Sequence, residues 1–436
     1  MKISIIGAGH VGLVTGACFA ELHHRVTCVD SNRKKIDSLK RGKVPFYEPG
    51  LEPMVRRNLR QGRLSFTGSI GEGVRQSEVI FIAVGTPPLE SGDADLTGVE
   101  SVVRQVAQAM TGYRLIVEKS TVPVETGRWI ERTLRTFVRR QVPFDVASNP
   151  EFLREGSAIG DFMKPDRIVL GVESERAKKT LTSLYKPFHA PLVVTDIASA
   201  ELIKHASNAF LATKISYINA VASLCERVGA DVEQVAYGMG LDRRIGSAFL
   251  KAGAGYGGFC FPKDLEAFIR IAEKRGYDFR LLKEVRRINE EQRRLILKKV
   301  EEQLWNVKDK TVGVLGLAFK PNTDDLRFAP SLEVIESLLK AGARVRAFDP
   351  RANEAARGLL NGVALAADPY RLAKGCDCLV VLTEWKEFQE LDLKRVKRLM
   401  KQPVVVDGRN LYDPGKMRRL GFRYSAIGRG KPGETG

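Results

Sequence analysis

The chain opens on a short apolar run, KISII, that leads at once into Gly7-Ala8-Gly9-His10-Val11-Gly12 and then into a stretch of helical character. Few folds accommodate that order. A strand that ends in Gly-x-Gly-x-x-Gly and passes directly into a helix begins a βαβ unit that binds a dinucleotide. Gly7 permits the tight turn, Gly9 lets backbone approach a pyrophosphate, and Gly12 allows close helix–strand packing. The helix start adds free N–H groups and partial positive charge for phosphates. A second run, RVTCVD, ends at Asp30, whose carboxylate accepts from a ribose 2′-hydroxyl but repels a 2′-phosphate. The expected cofactor is NAD rather than NADP. The alternative, a glycine turn kept only for packing, does not account for the whole strand–turn–helix–strand context.

The same alternation continues through EVIFIAV, RLIVEKST, FDVAS, RIVLGV and PLVVTD, with amphipathic segments such as 97–110 and 125–140 between them. It implies a parallel sheet with helices on both faces. From Ala198 to Val228 the pattern becomes one long helix without Gly or Pro, and helical sequence continues to about Trp305. TVGVLGLAF, RVRAFDP, CLVVLTEW and PVVVDG then restart the alternation. The expected class is α/β, with two Rossmann-like doubly wound domains at 1–197 and 306–436. A long central helix and a helical dimerisation domain at 198–305 join them. The final GRGKPGETG reads as a disordered tail.

At 436 residues the chain can bury two or three cores. Its formal charge of +18 favours anionic partners. The cations are dispersed rather than gathered with aromatics, so phosphorylated small molecules suit it better than nucleic acid. No apolar run reaches the roughly 20 residues of a bilayer span. The N-terminus divides into strand and turn with Glu21 following, unlike a signal peptide. No membrane partner is expected, and the expected location is the cytoplasm.

Six cysteines, Cys18, Cys28, Cys225, Cys260, Cys376 and Cys378, are scattered too widely for a secreted disulfide framework. Cys376-x-Cys378 lacks a second pair at zinc spacing, and no metal is expected. Cys260 differs from the rest. It follows Gly253, Gly255, Gly257 and Gly258, which let backbone N–H groups come close to a ligand. It precedes Pro262, Lys263 and Asp264, where Pro262 suits the first turn of a helix. A helix start and a nearby lysine favour the thiolate, the nucleophilic form. The other five read as small buried hydrophobes. A nicotinamide site joined to a cysteine nucleophile selects the chemistry. Alcohol oxidation needs no covalent catalyst, whereas an aldehyde becomes an acid readily through a thiohemiacetal and a thioester.

Lys204 and Asn208 share one helix face at i and i+4. A lysine there can donate to a developing alkoxide; spacing alone allows equally a salt bridge to Glu201 or another carboxylate. Glu151 and Glu155 have the same relation if helical, and either a water-positioning or a solvated role fits. Thr86 and Thr121 sit at further strand ends, where ligands of open α/β sheets bind, although each also fits an ordinary turn. In the third section Lys320 and Arg409 follow strands and suit a phosphate or sugar. Without a complete glycine motif there, a different nucleotide is expected rather than a second NAD.

GAGHVG, Tyr47-Glu48-Pro49-Gly50-Leu51, Ser120-Thr121-Val122-Pro123, NPEFLREG at 149–156, Lys204 with Asn208, GYGGFCFPKD at 255–264, AFK at 318–320 and DGR at 407–409 together resemble the UDP-glucose/GDP-mannose dehydrogenase family. The resemblance spans nearly the whole chain, and the cysteine segment is its most specific mark. It implies NAD-dependent, four-electron oxidation of a nucleotide-sugar, UDP-glucose favoured, to UDP-glucuronate through a Cys260 thiohemiacetal and thioester. By resemblance Lys204 would stabilise oxyanions, and Asn208 would hold the thiohemiacetal oxygen. Asp264 would act with a water, Glu151 in acid–base work, and Thr121 and Glu155 in placing water and cofactor. Val11, Lys35, Thr86, Lys263 and Arg327 would join Gly7, Gly9, Gly12 and Asp30 around NAD. Substrate would meet Phe152, Leu153, Lys320, Arg409 and the loop Phe249 to Gly257, including Lys251 and Tyr256. Arg244 would cross to a partner subunit's site. A homodimer or higher homo-oligomer through the central helix is implied. One departure is Phe259, where many relatives have a small residue. GDP-mannose or an N-acetylated UDP-sugar, or a two-electron dehydrogenase that leaves Cys260 idle, are the alternative readings.

Overall fold

A computed structural model describes residues 1–139 and 142–429. The chain packs as two compact units, one from Met1–Ser207 and Glu266–Tyr277, the other from Asn208–Leu265 and Asp278 onward. The expected disordered tail lies, from residue 430, outside the described residues.

The first unit carries an eight-stranded sheet: β1 (Lys2–Ile6), β2 (Arg25–Val29), β3 (Leu64–Thr67), β4 (Val79–Ile82), β5 (Arg114–Glu118), β6 (Phe144–Ser148), β7 (Ile168–Val172) and β8 (Leu192–Thr195). Its order is β3-β2-β1-β4-β5-β6-β7-β8. Chain direction of travel reverses between β1 and β4, the switch point where such sheets bind ligands. The central strands are apolar throughout because helices cover both faces; VIFI of β4 is wholly buried. Helices Thr97–Ala109 and Thr126–Phe137 lay Val99, Val102, Val103, Val106, Ile130 and Leu134 on one face, against Ile80, Ile82 and Ile116. Helix His10–Glu21 covers the other. Its Phe19 is fully buried, with ring centroids 5.5 Å from Phe81 and 5.1 Å from Phe162, a position where truncation to alanine costs about 3–5 kcal/mol.

Two points depart from the expected parallel sheet. β6 and β7 pair antiparallel, after which β7 and β8 pair parallel. The short connection from Asn149 to Arg167 carries only the six-residue helix Ala158–Met163 and brings the strand back alongside instead of crossing over. β3 also joins the edge, although LSFT is too short and polar to announce itself.

The second unit repeats the plan with β9 (Thr311–Leu315), β10 (Arg344–Phe348), β11 (Ala364–Leu365), β12 (Cys378–Val381), β13 (Val404–Asp407) and β14 (Arg423–Ala426), ordered β11-β10-β9-β12-β13-β14 and parallel throughout. The repetition reaches individual bonds. Gly7 N donates to Val29 O at 2.8 Å, and Gly316 N donates to Phe348 O at 2.9 Å; both glycines have positive φ, +102° and +96°. Asp30, after β2, accepts from Ala8 N at 3.0 Å. Asp349, after β10, accepts from Leu317 N, Ala318 N and Trp385 Nε1 at 2.8, 3.0 and 3.0 Å, and is buried. Asp349 thus ties the turn after β9 to the segment after β12, whereas Asp30 is only part-buried.

Candidate active site

The three glycines of the first turn differ in what surrounds them. A Cβ on Gly12 would stand 1.8 Å from Gly7 O, and one on Gly7 2.4 Å from Ala83 O, so both are packing requirements. Gly9, by contrast, faces open space with nothing within 4 Å of a built Cβ. It caps helix His10–Glu21 with no side-chain hydrogen bond and no acidic residue in the first turn, leaving amide donors for an anion. These residues fit a dinucleotide. Val11 is half-buried in that first turn. Asp30 also accepts from Asn32 N at 2.9 Å and pairs with Lys35 Nζ at 2.7 Å. Burial alone would raise its carboxyl, but the Lys35 and Asn32 bonds outweigh it and hold the group below the usual range.

The loops beyond β4, β5 and β6 are tied together. Thr86, buried, donates its hydroxyl to Thr121 O at 2.8 Å, and Ser120 donates to Val84 O at 2.8 Å. Lys204 and Glu151, both buried, meet at 3.0 Å, and Glu151 Oε2 accepts from Leu153 N at 2.6 Å. Lys204 thus pairs with Glu151 rather than with Glu201. Glu201 instead accepts from Glu125 N and Gly127 N at 2.6 and 2.8 Å. The helical relation considered for Glu151 and Glu155 does not form: Glu151–Arg154 is irregular and Glu155 opens a turn, because Glu151's carboxylate captures a backbone amide two residues on, a local bond that competes with helix. Phe152 carries Arg167 at 3.6 Å and Lys204 at 5.4 Å from its ring centre.

In the second unit Cys260 is the first residue of the helix Cys260–Lys274 rather than the residue before it. It is the one partly exposed cysteine; the other five are buried. Burial pushes the Cys18 and Cys28 thiols up to about 12 and Cys376 to about 11, so they stay protonated. Asp264, one helical turn after Cys260, is fully buried and holds Asn208 Nδ2 at 2.6 Å and Lys263 Nζ at 2.7 Å.

The protein's own chain crowds the glycines before Cys260. A Cβ would stand 2.7 Å from Gly408 O at Gly253, 2.4 Å from Asn289 Oδ1 at Gly255, 2.3 Å from Phe328 O at Gly257 and 2.6 Å from the Phe319 ring at Gly258. Phe259 lies between Arg327 at 4.3 Å and Lys263 at 5.5 Å, which gives its bulk a cation–π role. Arg409 donates to Leu382 O, Gly255 O and Phe319 O at 2.8, 3.1 and 3.2 Å, knitting two strand ends to the cysteine loop. Lys320 lies over Phe319, Tyr256 is buried with Asn289 bonding its amide and carbonyl, Phe249 has φ +65°, and Lys251 is exposed. Arg244 is 89% exposed in its side chain, paired with Asp242.

Spacing alone did not single out Glu48, although it lies in the quoted Tyr47–Leu51 segment. Buried, it accepts from His10 Nε2, Gly156 N and Ala158 N at 2.8, 2.7 and 2.9 Å, joining the glycine turn to the segment after Glu155. Among the described residues no helix is long and apolar enough to cross a membrane.

Comparison with known proteins agrees with this geometry. The models of the UDP-glucose/GDP-mannose dehydrogenase family match as NAD binding domain over residues 1–189, central domain over 198–291 and UDP binding domain over 313–414. The chain is 49% identical to UDP-glucose 6-dehydrogenase TuaD of Bacillus subtilis, over 98% of this chain and 93% of that protein. A solved UDP-glucose dehydrogenase from Pyrobaculum islandicum is 44% identical, with a TM-score of 0.92 over 97% of this chain and 96% of its own. A UDP-D-ManNAc dehydrogenase structure from Pyrococcus horikoshii is 28% identical, with a TM-score of 0.88 over 99% and 100%. Glycine turn, buried Lys204–Glu151 pair and half-exposed Cys260 stand on a chain that belongs to the UDP-glucose/GDP-mannose dehydrogenase family.

Proposed function

We propose that the protein oxidises UDP-glucose to UDP-glucuronate, with Cys260 as covalent nucleophile. The observation that carries the nucleophile is its exposure at a helix start while the other five thiols are buried; identity of 44–49% to UDP-glucose enzymes against 28% to the N-acetylmannosamine enzyme favours glucose. NAD, when bound, supplies the oxidant for both two-electron steps. Gly7, Gly9, Gly12 and Asp30 would hold it. On the reaction side, the Cys260 sulfur adds to the aldehyde carbon, and the carbonyl oxygen takes up negative charge that Lys204 and Asn208 are suited to stabilise. Water cleaves the later thioester and returns the thiol, with Asp264 and Glu151 as the carboxylates that handle protons. Lys320 and Arg409 suit the nucleotide phosphates.

The assembly belongs to the same reading. Phe210, Tyr217, Leu224 and Val228 on helix Ile197–Val228 are all more than half exposed, at spacings of seven, seven and four residues that fall on one stripe. Such a stripe suits a homodimer, with Arg244 reaching the partner. Six free thiols suit the cytoplasm. The test is a panel of UDP- and GDP-sugars with NAD: two NADH per UDP-glucose in the unaltered protein, and no acid but undiminished NAD binding in Cys260→Ala. Acid formation by that variant, or faster turnover of UDP-N-acetylmannosamine, overturns the corresponding part.

A further inference from the structure

Lys119 is a buried cation to which the chemistry above assigns no task. It follows β5, is 4% exposed, and donates to Asn149 Oδ1 at 3.0 Å and to Asn149 O at 3.4 Å. Asn149 is anchored twice more: Tyr185 donates its hydroxyl to the same Oδ1 at 2.5 Å, and Asn149 Nδ2 donates to Val169 O at 2.9 Å. Two residues on, Glu151 meets Lys204. Lys119 and Glu151 also wall one cavity of about 50 Å³ with Phe152, Asp161 and Arg167, room for water between polar groups.

We propose that Lys119 is a positioning residue for the Glu151–Lys204 pair: it fixes the Asn149–Glu151 turn and sets a second positive charge toward the Glu151 carboxylate across the shared cavity. This rests on the acid–base reading of Glu151. A strut alone needs no charge, because a neutral donor completes the bond to Asn149 at less desolvation cost. A buried ammonium persists where a carboxylate answers it. Of the charged groups facing the cavity, Asp161 is held by Arg154 at 2.6 Å and Arg167 stacks on Phe152. Lys204 bonds Glu151 at 3.0 Å from helix Ile197–Val228, and neither it nor Glu118, the neighbour on β5, is among the residues that wall the cavity. Glu151 is the carboxylate left to answer Lys119. Burial draws the Lys119 ammonium down to about 8 against the opposing pull of Glu151, with Lys204 adding to the fall.

The test is the pH profile of kcat in Lys119→Gln, which keeps a donor for Asn149 but removes the charge, and in Lys119→Met, which removes both. Glu151→Gln serves as the reference. Expected in both Lys119 variants is an acid limb moved to higher pH by about one unit, with KM for the sugar little changed. If Glu151→Gln retains the wild-type acid limb, the reading of Glu151 fails and this inference with it. If Glu151→Gln loses the limb but both Lys119 variants keep it in place, only the inference about Lys119 falls. Loss of the fold in both Lys119 variants assigns the ammonium to folding and overturns it too.

Discussion

Glu151 and Lys204 face each other at 3.0 Å with both side chains only 4% exposed, a charge pair withdrawn from water. Removing one partner strands the other in a poorly solvating interior, at a cost of about 3–5 kcal/mol. Lys204→Met is therefore expected to lower stability by that order in urea unfolding. The double variant Lys204→Met/Glu151→Gln regains much of the loss while remaining inactive. A double variant as unstable as the single one would place the cost elsewhere.

The three glycines of the first turn separate by substitution. Gly9→Ala meets no atom within 4 Å, so the fold survives while the added methyl group obstructs a pyrophosphate; NAD affinity drops with an almost unchanged Tm. Gly12→Ala puts its Cβ 1.8 Å from Gly7 O and lowers Tm as well. Calorimetry with and without NAD distinguishes the two, and equal Tm losses would contradict the assignment.

Burial raises the Glu118 carboxyl to about 8 and that of Glu201 to about 7, over the opposing hydrogen bonds each accepts. Between the unfolded value of about 4.3 and those values the folded chain holds protons that the unfolded chain has released. Unfolding then gives up protons, and stability falls as pH rises from about 5 to 8. Glu118→Gln is expected to be more stable than the parent at pH 8 and similar at pH 5. A gain independent of pH would show that Glu118 does not titrate this way.

The exposed stripe on helix Ile197–Val228 predicts association. Phe210→Glu together with Tyr217→Glu should shift sedimentation toward monomer with secondary structure intact. Sedimentation of the unaltered protein as monomer at micromolar concentration would refute the dimer.

Much of this fold was legible because long parallel strands and Gly-x-Gly-x-x-Gly carry strong local signals. β1, β2, β4, β5 and β6 follow apolar runs, and the helix foreseen at Ala198–Val228 forms at Ile197–Val228. β3, β11 and β14 escaped, since LSFT, AL and RYSA at sheet edges need little apolar surface. The antiparallel β6–β7 pairing escaped because strand direction depends on connection path rather than composition. Cys260 stood out through its neighbours, whereas Glu118 and Lys119 drew no notice at the end of an apolar run and Glu201 entered only as a partner for Lys204, because burial of all three depends on the fold. The glycines before Cys260 were read as letting a ligand approach, and a sequence does not reveal that Phe319, Phe328 and Asn289 crowd them as well.

The family models place an NAD binding domain over residues 1–189 and a UDP binding domain over 313–414, and the proposed reaction uses two NAD per sugar. Two oxidations per sugar then oblige a spent cofactor to depart and a fresh one to arrive halfway. A half-oxidised sugar free to diffuse would escape during that exchange. If Cys260 is the nucleophile proposed above, a sulfur mooring there would hold the sugar through that exchange, and that is what a covalent tether contributes.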